Sequence, residues 1–372
     1  MPAMRMLFAA LGLAAIVVQA AAAAPRPQTL FTSPSGRIAA FAQDGSLLAW
    51  FSQGTKGCNT VWVFDLATAE QVRLPDQRAS TVNVTCDWNV VPPVQLAVDY
   101  KTATALWTLR ERAPLRFDYL IGASSTDRLE RRFQEVAHAF RGAGLWLGGL
   151  AGDDGTLVYS VTSVDFADEV GCLSNPKAPH ACAMKVGDQG GVYRIVGRKS
   201  PRLIPGTSPG AMEVAVYKGE VAYVTTASVA RNGSPVADAA SPITIRSVLD
   251  GALVSRLSPR GTPEALALSA KVLATLERTG HGLRIAWYSP ATGRPVGSVS
   301  VPTGTSPEIS ASNRLIVFHV GRTIHAVDVA TGRARVVVRA AATPIGLSIE
   351  GPRLAWAENV KGKGRVRALT LS

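Results

Sequence analysis

The residues that could carry chemistry are few and scattered. Ser208 sits in GTSPG, which matches G-x-S-x-G, the sharp turn that exposes a nucleophilic serine. In that turn the residue after the serine donates an N–H to the oxyanion, but here it is Pro209, which has no N–H. His319 and His325 look like a metal pair flanking Val320 to Ile324. A two-residue hairpin turn at Gly321-Arg322 would pair His319 with Ile324 and put the two imidazoles on opposite faces of a strand pair. Asp165, Asp168 and Glu169 open a long insertion and, with Asp188, supply oxygens suited to Ca²⁺. Their spacing is not that of an EF-hand, and no glycine-centred loop accompanies them.

Three glutamates form a more ordered set. Glu213, Glu264 and Glu308 stand at matching places after GTSPG at 206, GTPE at 261 and GTSPE at 304. If those places superpose in space, three carboxylates ring one mouth of a channel. Like charges that close raise one another's pKa unless a cation compensates. Salt bridges to nearby Lys or Arg are one outcome, and a site for a cation or cationic ligand is the other. The three are the weak metal candidates of this sequence, which offers no catalytic serine, no cofactor motif and no phosphate-cradling G-x-x-x-x-G-K-[ST] loop. A metal-dependent hydrolase or lyase is disfavoured because no histidine or asparagine partner is evident near them.

The elements that position these residues follow from a repeat. GTSPG, GTPE, GTSPE and ATPIG place Pro209, Pro263, Pro307 and Pro344 37 to 54 residues apart. Each proline precedes a strand of small residues (EVAVYKG, EALALSA, EISASN, GLSIEG) and then a more apolar strand (EVAYVTT, VLATLE, RLIVFHV, RLAWAEN). Turns such as DVATGR and SPATGR lead into the outer strands. Four short strands per unit of about 40–50 residues is the signature of a β-propeller. The earlier chain fits the same template, giving an all-β, seven-bladed propeller of four-stranded antiparallel blades over 28–372. STDRLERRFQEVAHAF reads as an amphipathic helix or as an edge strand. The last unit lacks a fourth strand, and QTLFTS near the N-terminus would supply it and remove an exposed edge. The small residues of the first strands suit a crowded axis, and Trp50, Trp62, Trp107, Tyr159, Tyr193, Tyr223, Trp287 and Trp356 would fill the space between blades.

The unit AQDGSLLAWFS followed by NTVWVFDLATAE resembles the repeat of TolB-like propellers, relatives of the WD-repeat. AGDDGTLVYSVTS and RLIVFHVGRTIHAVDVATGR resemble it in part. The resemblance implies a binding platform, and in a minority of such propellers an enzyme. On this frame GTSPG is an inter-blade turn, since a nucleophile elbow needs a helix after it.

Residues 1–23 read as a secretory signal: Arg5, an apolar run from Leu7 to Val18, then alanines before Pro25. The chain carries 39 Lys plus Arg against 27 Asp plus Glu, a net charge of +12. The surplus forms no long run, but a basic exported protein is drawn to anionic surfaces. The expected partner is a protein or an anionic cell-envelope polymer, not nucleic acid, and the chain is expected to act as a monomer. The only expected membrane contact is through the cleaved signal. Cys58, Cys86, Cys172 and Cys182 suggest two disulfides in an exported chain. Strand alternation places Cys58 and Cys86 on one face of adjacent units and Cys172 and Cys182 within one loop. The expected bonds are therefore Cys58–Cys86 and Cys172–Cys182, each worth on the order of 2–4 kcal/mol.

Overall fold

The computed structural model describes residues 26–371 apart from 34–35, 54–58, 68–70, 74–94, 102–103, 114–115, 126–133, 141–142, 168–182, 196–199 and 231–232. The four cysteines, the signal segment, Asp168 and Glu169 lie outside the described residues. The described residues form strands and turns and no helix. Five separate four-stranded antiparallel sheets and one eight-stranded sheet account for all but one short hairpin, a count consistent with seven blades. The fold is a β-propeller.

Blade 1 begins with Arg37–Asp44, blade 2 with Leu96–Asp99 and blade 3 with Ala143–Asp153. Blades 4 to 7 begin with Ala211–Tyr217, Thr262–Leu268, Thr305–Ala311 and Pro344–Glu350. Blades 2 and 3 differ from the expected separate sheets. The outer strand of blade 2, Gln134–Phe140, pairs with the start of blade 3 through Phe140–Ala143 and Ala139–Gly144, so one sheet of eight strands runs through both blades. The 125–140 segment thus ends as a strand, not a helix. Blade 4 carries the extra hairpin, Ser228–Val229 with Pro235–Val236, between its second and third strands.

Closure follows the expected route. Gln28–Thr32 pairs antiparallel with Lys363–Thr370 and becomes the outer strand of blade 7. Phe31 packs 4.5 Å from the Trp50 ring, and the Trp50 and Trp62 rings stack at 6.4 Å. Across the seam Ile38 N donates to Asn359 Oδ1 and Asn359 Nδ2 donates to Ile38 O, both at 2.8 Å. Sequence-distant ends are thus joined by a ladder, an amide pair and an aromatic cluster.

The core is a set of inter-blade seams. Trp287 and Leu276 of blade 5 meet Phe318 of blade 6, Trp356 of blade 7 meets Ile324 of blade 6, and Tyr223 of blade 4 meets Val158 and Val192 of blade 3. Tyr159 and Tyr193 stack at 5.2 Å between blades 2 and 3. The aromatics are packing residues here, as their place on second and third strands implies; the Trp107 side chain lies outside the described ones.

Around the axis, small residues are required by contact. A Cβ on Gly152 of blade 3 would lie 2.4 Å from Val98 O of blade 2. One on Gly346 of blade 7, where φ is +61°, would lie 2.4 Å from Phe41 O of blade 1. Backbone meets backbone at these points, which larger residues would force apart. Six first strands also carry a β-bulge near their start, between Ile38/Ala40, Leu147/Leu150, Ala211/Val214, Pro263/Ala265, Thr305/Ile309 and Ile345/Leu347. A bulge adds a residue, bends the strand and re-aims a side chain.

Candidate functional site

Glu213, Glu264 and Glu308 all fall inside these bulges, so the equivalence read from the repeat holds at the level of backbone. Their surroundings differ. Glu264 accepts a short hydrogen bond from Arg278 Nε, and the pair is partly exposed. Glu308 lies 3.4 Å, Oε2 to Nε2, from His319, whose side chain is buried. Glu213 exposes part of its surface to the central channel and is otherwise enclosed. Burial alone pushes its carboxyl up to about 7. No described group donates a hydrogen bond to it or forms an ion pair with it.

The expectation that no histidine attends these glutamates is overturned. His319 stands eleven positions after Glu308, and strand pairing folds it back onto the same end of blade 6. His319 pairs with Ile324 and His325 with Phe318, so the two histidines do face opposite ways. His325 stacks on Phe318 at 4.9 Å, and burial holds its pKa below the usual imidazole value. His319 Nδ1 lies 3.0 Å from Gly321 O. No hydrogen bond joins His319 Nε2 to Glu308 Oε2, and both atoms are buried.

Among the described residues no three His, Cys, Asp or Glu side chains come together as a metal site. Ser208 is exposed in the turn between blades 3 and 4, and its hydroxyl donates to Gly190 O at 3.0 Å. No helix follows it, so it occupies an inter-blade turn.

The opposite end of the channel holds a carboxylate set that the repeat analysis passed over. The first strands of blades 7, 1, 2 and 3 end in Glu350, Asp44, Asp99 and Asp153. Each accepts backbone amides from the turn of the next blade. Glu350 accepts from Gly45. Asp44 Oδ2 accepts from Tyr100 at 2.7 Å and from Asp154 at 3.1 Å. Asp99 Oδ1 accepts from Gly155 at 2.6 Å, and Asp153 Oδ2 from Lys218 at 2.5 Å. The result is a run of staples from blade 7 to blade 4, across the seam where the ring closes.

The staples crowd one another. Burial first, and then the charges of Asp153 and Asp99, push Asp44 up to about 6 against the pull of its two amides. Burial and the neighbouring Asp44 and Asp153 push Glu350 up to about 7. Asp153 is also raised, chiefly by burial. The signal for this set was in the sequence: AQDG, VDYK, GDDG and SIEG end the same strand four times.

The same rim is basic on the remaining blades. Lys218, Lys271 and Arg314 sit exposed in the first turns of blades 4, 5 and 6. On the acidic arc Lys101 pairs with Asp154 at 3.0 Å and Arg353 donates to Gly45 O, so cations stand on both arcs and the stapled acids on one.

No protein-family model matches this sequence, and no curated protein does. Among solved structures, a chain of the mitotic checkpoint complex matches at 11% identity over 100% of this chain and 99% of that one, with a TM-score of 0.52. The Myceliophteria thermophila Cps50 (Swd1) β-propeller domain matches at 11% identity over 93% and 100%, with a TM-score of 0.49. Saccharomyces cerevisiae Sqt1 matches at 9% identity over 92% and 98%, with a TM-score of 0.44. At such identities the likeness is one of fold.

Proposed function

We propose that this chain is a secreted, TolB-like and WD-repeat-like propeller that serves as a non-enzymatic binding scaffold, with a protein as its partner. The observation that carries the reading is the mixed rim: exposed Lys218, Lys271 and Arg314 on blades 4 to 6, and the partly exposed acids Asp153, Asp154 and Glu350 on blades 3 and 7. A rigid surface bearing both signs favours a partner that also bears both, because electrostatic complementarity sets register and rejects like-charged surfaces. An anionic envelope polymer would use the basic arc alone. One solved propeller that shares this fold comes from an assembly, the mitotic checkpoint complex, which agrees with the reading without identifying a partner.

The test is crosslinking in intact cells followed by affinity recovery, with the parent chain beside a Lys218→Glu, Lys271→Glu, Arg314→Glu variant. A defined protein recovered with the parent, salt-sensitive and lost in the variant, supports the scaffold reading. Recovery of polysaccharide or other anionic polymer instead moves the assignment to the polymer. Cell fractionation with and without residues 1–23 tests export.

The contact of Glu308 with His319 favours one second reading, a metal-dependent hydrolase or lyase at the bulge end of the channel. Elemental analysis of protein purified without chelator tests it: a stoichiometric divalent metal lost in Glu308→Gln would support the enzyme.

A further inference from the structure

The first strands enclose a central cavity of about 930 Å³, within the size range of small-molecule sites. Its wall mixes small and apolar residues, among them Ala39, Ala42, Ala151, Ala215, Ala267 and Ile309, with polar and charged ones, among them Glu213, Asp153, Glu308, Arg314 and Glu350. A carboxylate removed from water without a donor or a counter-ion is costly and gains most from an arriving cation. Of the other two glutamates of the bulge level, Glu264 is engaged by Arg278, and Glu308 has His319 Nε2 at 3.4 Å.

A divalent metal fits this wall poorly. Such an ion takes six or more oxygen ligands, or a smaller set of His, Cys and carboxylate groups. Among the described residues Glu213 belongs to no group of three His, Cys, Asp or Glu side chains that could supply either. A single positive charge on an aliphatic body matches both features at once, with the charge against the carboxylate and the body against the alanine wall.

We infer that the central channel binds a primary ammonium carried on an alkyl stem, with Glu213 as its counter-ion. The stem belongs either to a free amine or to a lysine side chain of a bound partner. The cavity reaches the rim, where Asp153, Glu350 and Arg314 also line it, but Glu213 lies at the bulge end, so the inference stands or falls separately from the scaffold reading.

The test is isothermal titration of the full exported chain at pH 8 with n-hexylammonium, n-hexanol, N-acetyl-lysine amide and calcium chloride as separate probes. Hexylammonium is expected to bind at least about tenfold more tightly than hexanol, a difference of about 1.4 kcal/mol. That comparison needs no variant. Glu213→Gln is expected to lose about tenfold in hexylammonium affinity while keeping hexanol binding, and Glu264→Gln to leave both unchanged. Binding of the lysine amide as well as hexylammonium assigns the site to a partner's side chain, and binding of hexylammonium alone to a free amine. Hexanol binding as tightly as hexylammonium, undiminished binding in Glu213→Gln, or a response to calcium alone overturns the inference.

Discussion

At the turn end of the channel, Asp44 accepts amide protons from blades 2 and 3 through one carboxylate oxygen, whereas at the bulge end Glu213 accepts none from any described group. Both residues lie on first strands, and burial raises the pKa of both. What separates them is the neighbouring backbone. Two-residue turns at the strand ends aim amides at the next blade, so an acid there becomes a staple. Bulges at the strand starts turn side chains individually, so three equivalent acids meet an arginine, a histidine and an open channel. Side-chain type therefore says little about role until its donors are counted.

The largest expected effect breaks the staple side. Asp44→Ala leaves the Tyr100 and Asp154 amides without an acceptor, and each such loss costs about 1–3 kcal/mol, so a loss of about 3 kcal/mol is expected at pH 5. Asp44→Asn sharpens the point. Both amides bond to Oδ2, which an asparagine carbonyl oxygen can replace. Asn is expected to match the parent at pH 5 and to exceed it at pH 8 in chemical denaturation. An Ala variant as stable as the parent would remove the staples from the account.

Glu213 gives the next effect, with opposite sign. Its folded pKa, about 7, lies above the ordinary 4.5, so the folded state holds a proton that the unfolded state has released between those values. The associated stability is complete below about pH 4.5 and is lost as pH rises through about 7. Glu213→Gln cannot release that proton. It is expected to be the more stable protein at pH 8, by on the order of 2 kcal/mol, with the gap closing by pH 5. Melting curves across that range decide it, and a pH-independent gap would contradict an uncompensated carboxylate.

Glu264→Gln should do least. Its ion pair with Arg278 is partly exposed, and such pairs contribute roughly 0–1 kcal/mol, less in high salt. Glu213 and Glu264 share no partner, so the double variant is expected to be additive within about 0.5 kcal/mol. Asp44 and Asp153, whose charges act on each other, should be non-additive. Strong coupling between Glu213 and Glu264 would bring the carboxylate ring back.

The blades were legible because inter-blade turns repeat as text: GTSPG, GTPE, GTSPE and ATPIG mark four seams, each followed by the strands of one blade. QTLFTS was legible as the closing strand because the last unit was one strand short. The fused sheet of blades 2 and 3 was not, since it depends on how one hairpin follows another. For the glutamates, the shared backbone position was readable, but the Arg278 and His319 contacts were not, because both partners arrive on second strands through bulged pairing. The strand-end acids were read as turn punctuation, since an inter-blade amide acceptor leaves no mark beyond an Asp before a turn.

The closing ladder also has a mechanical direction. Gln28 lies opposite Ala368 and Thr32 opposite Arg365, so the leading end of the first strand is beside the trailing end of the last. Hydrogen bonds between antiparallel strands run across the strands. Tension between Gln28 and Thr370 therefore falls on one bond at a time and peels the ring open like a zip. Tension between Gln28 and Lys363 pulls along the strands, loads every bond together and meets far greater resistance.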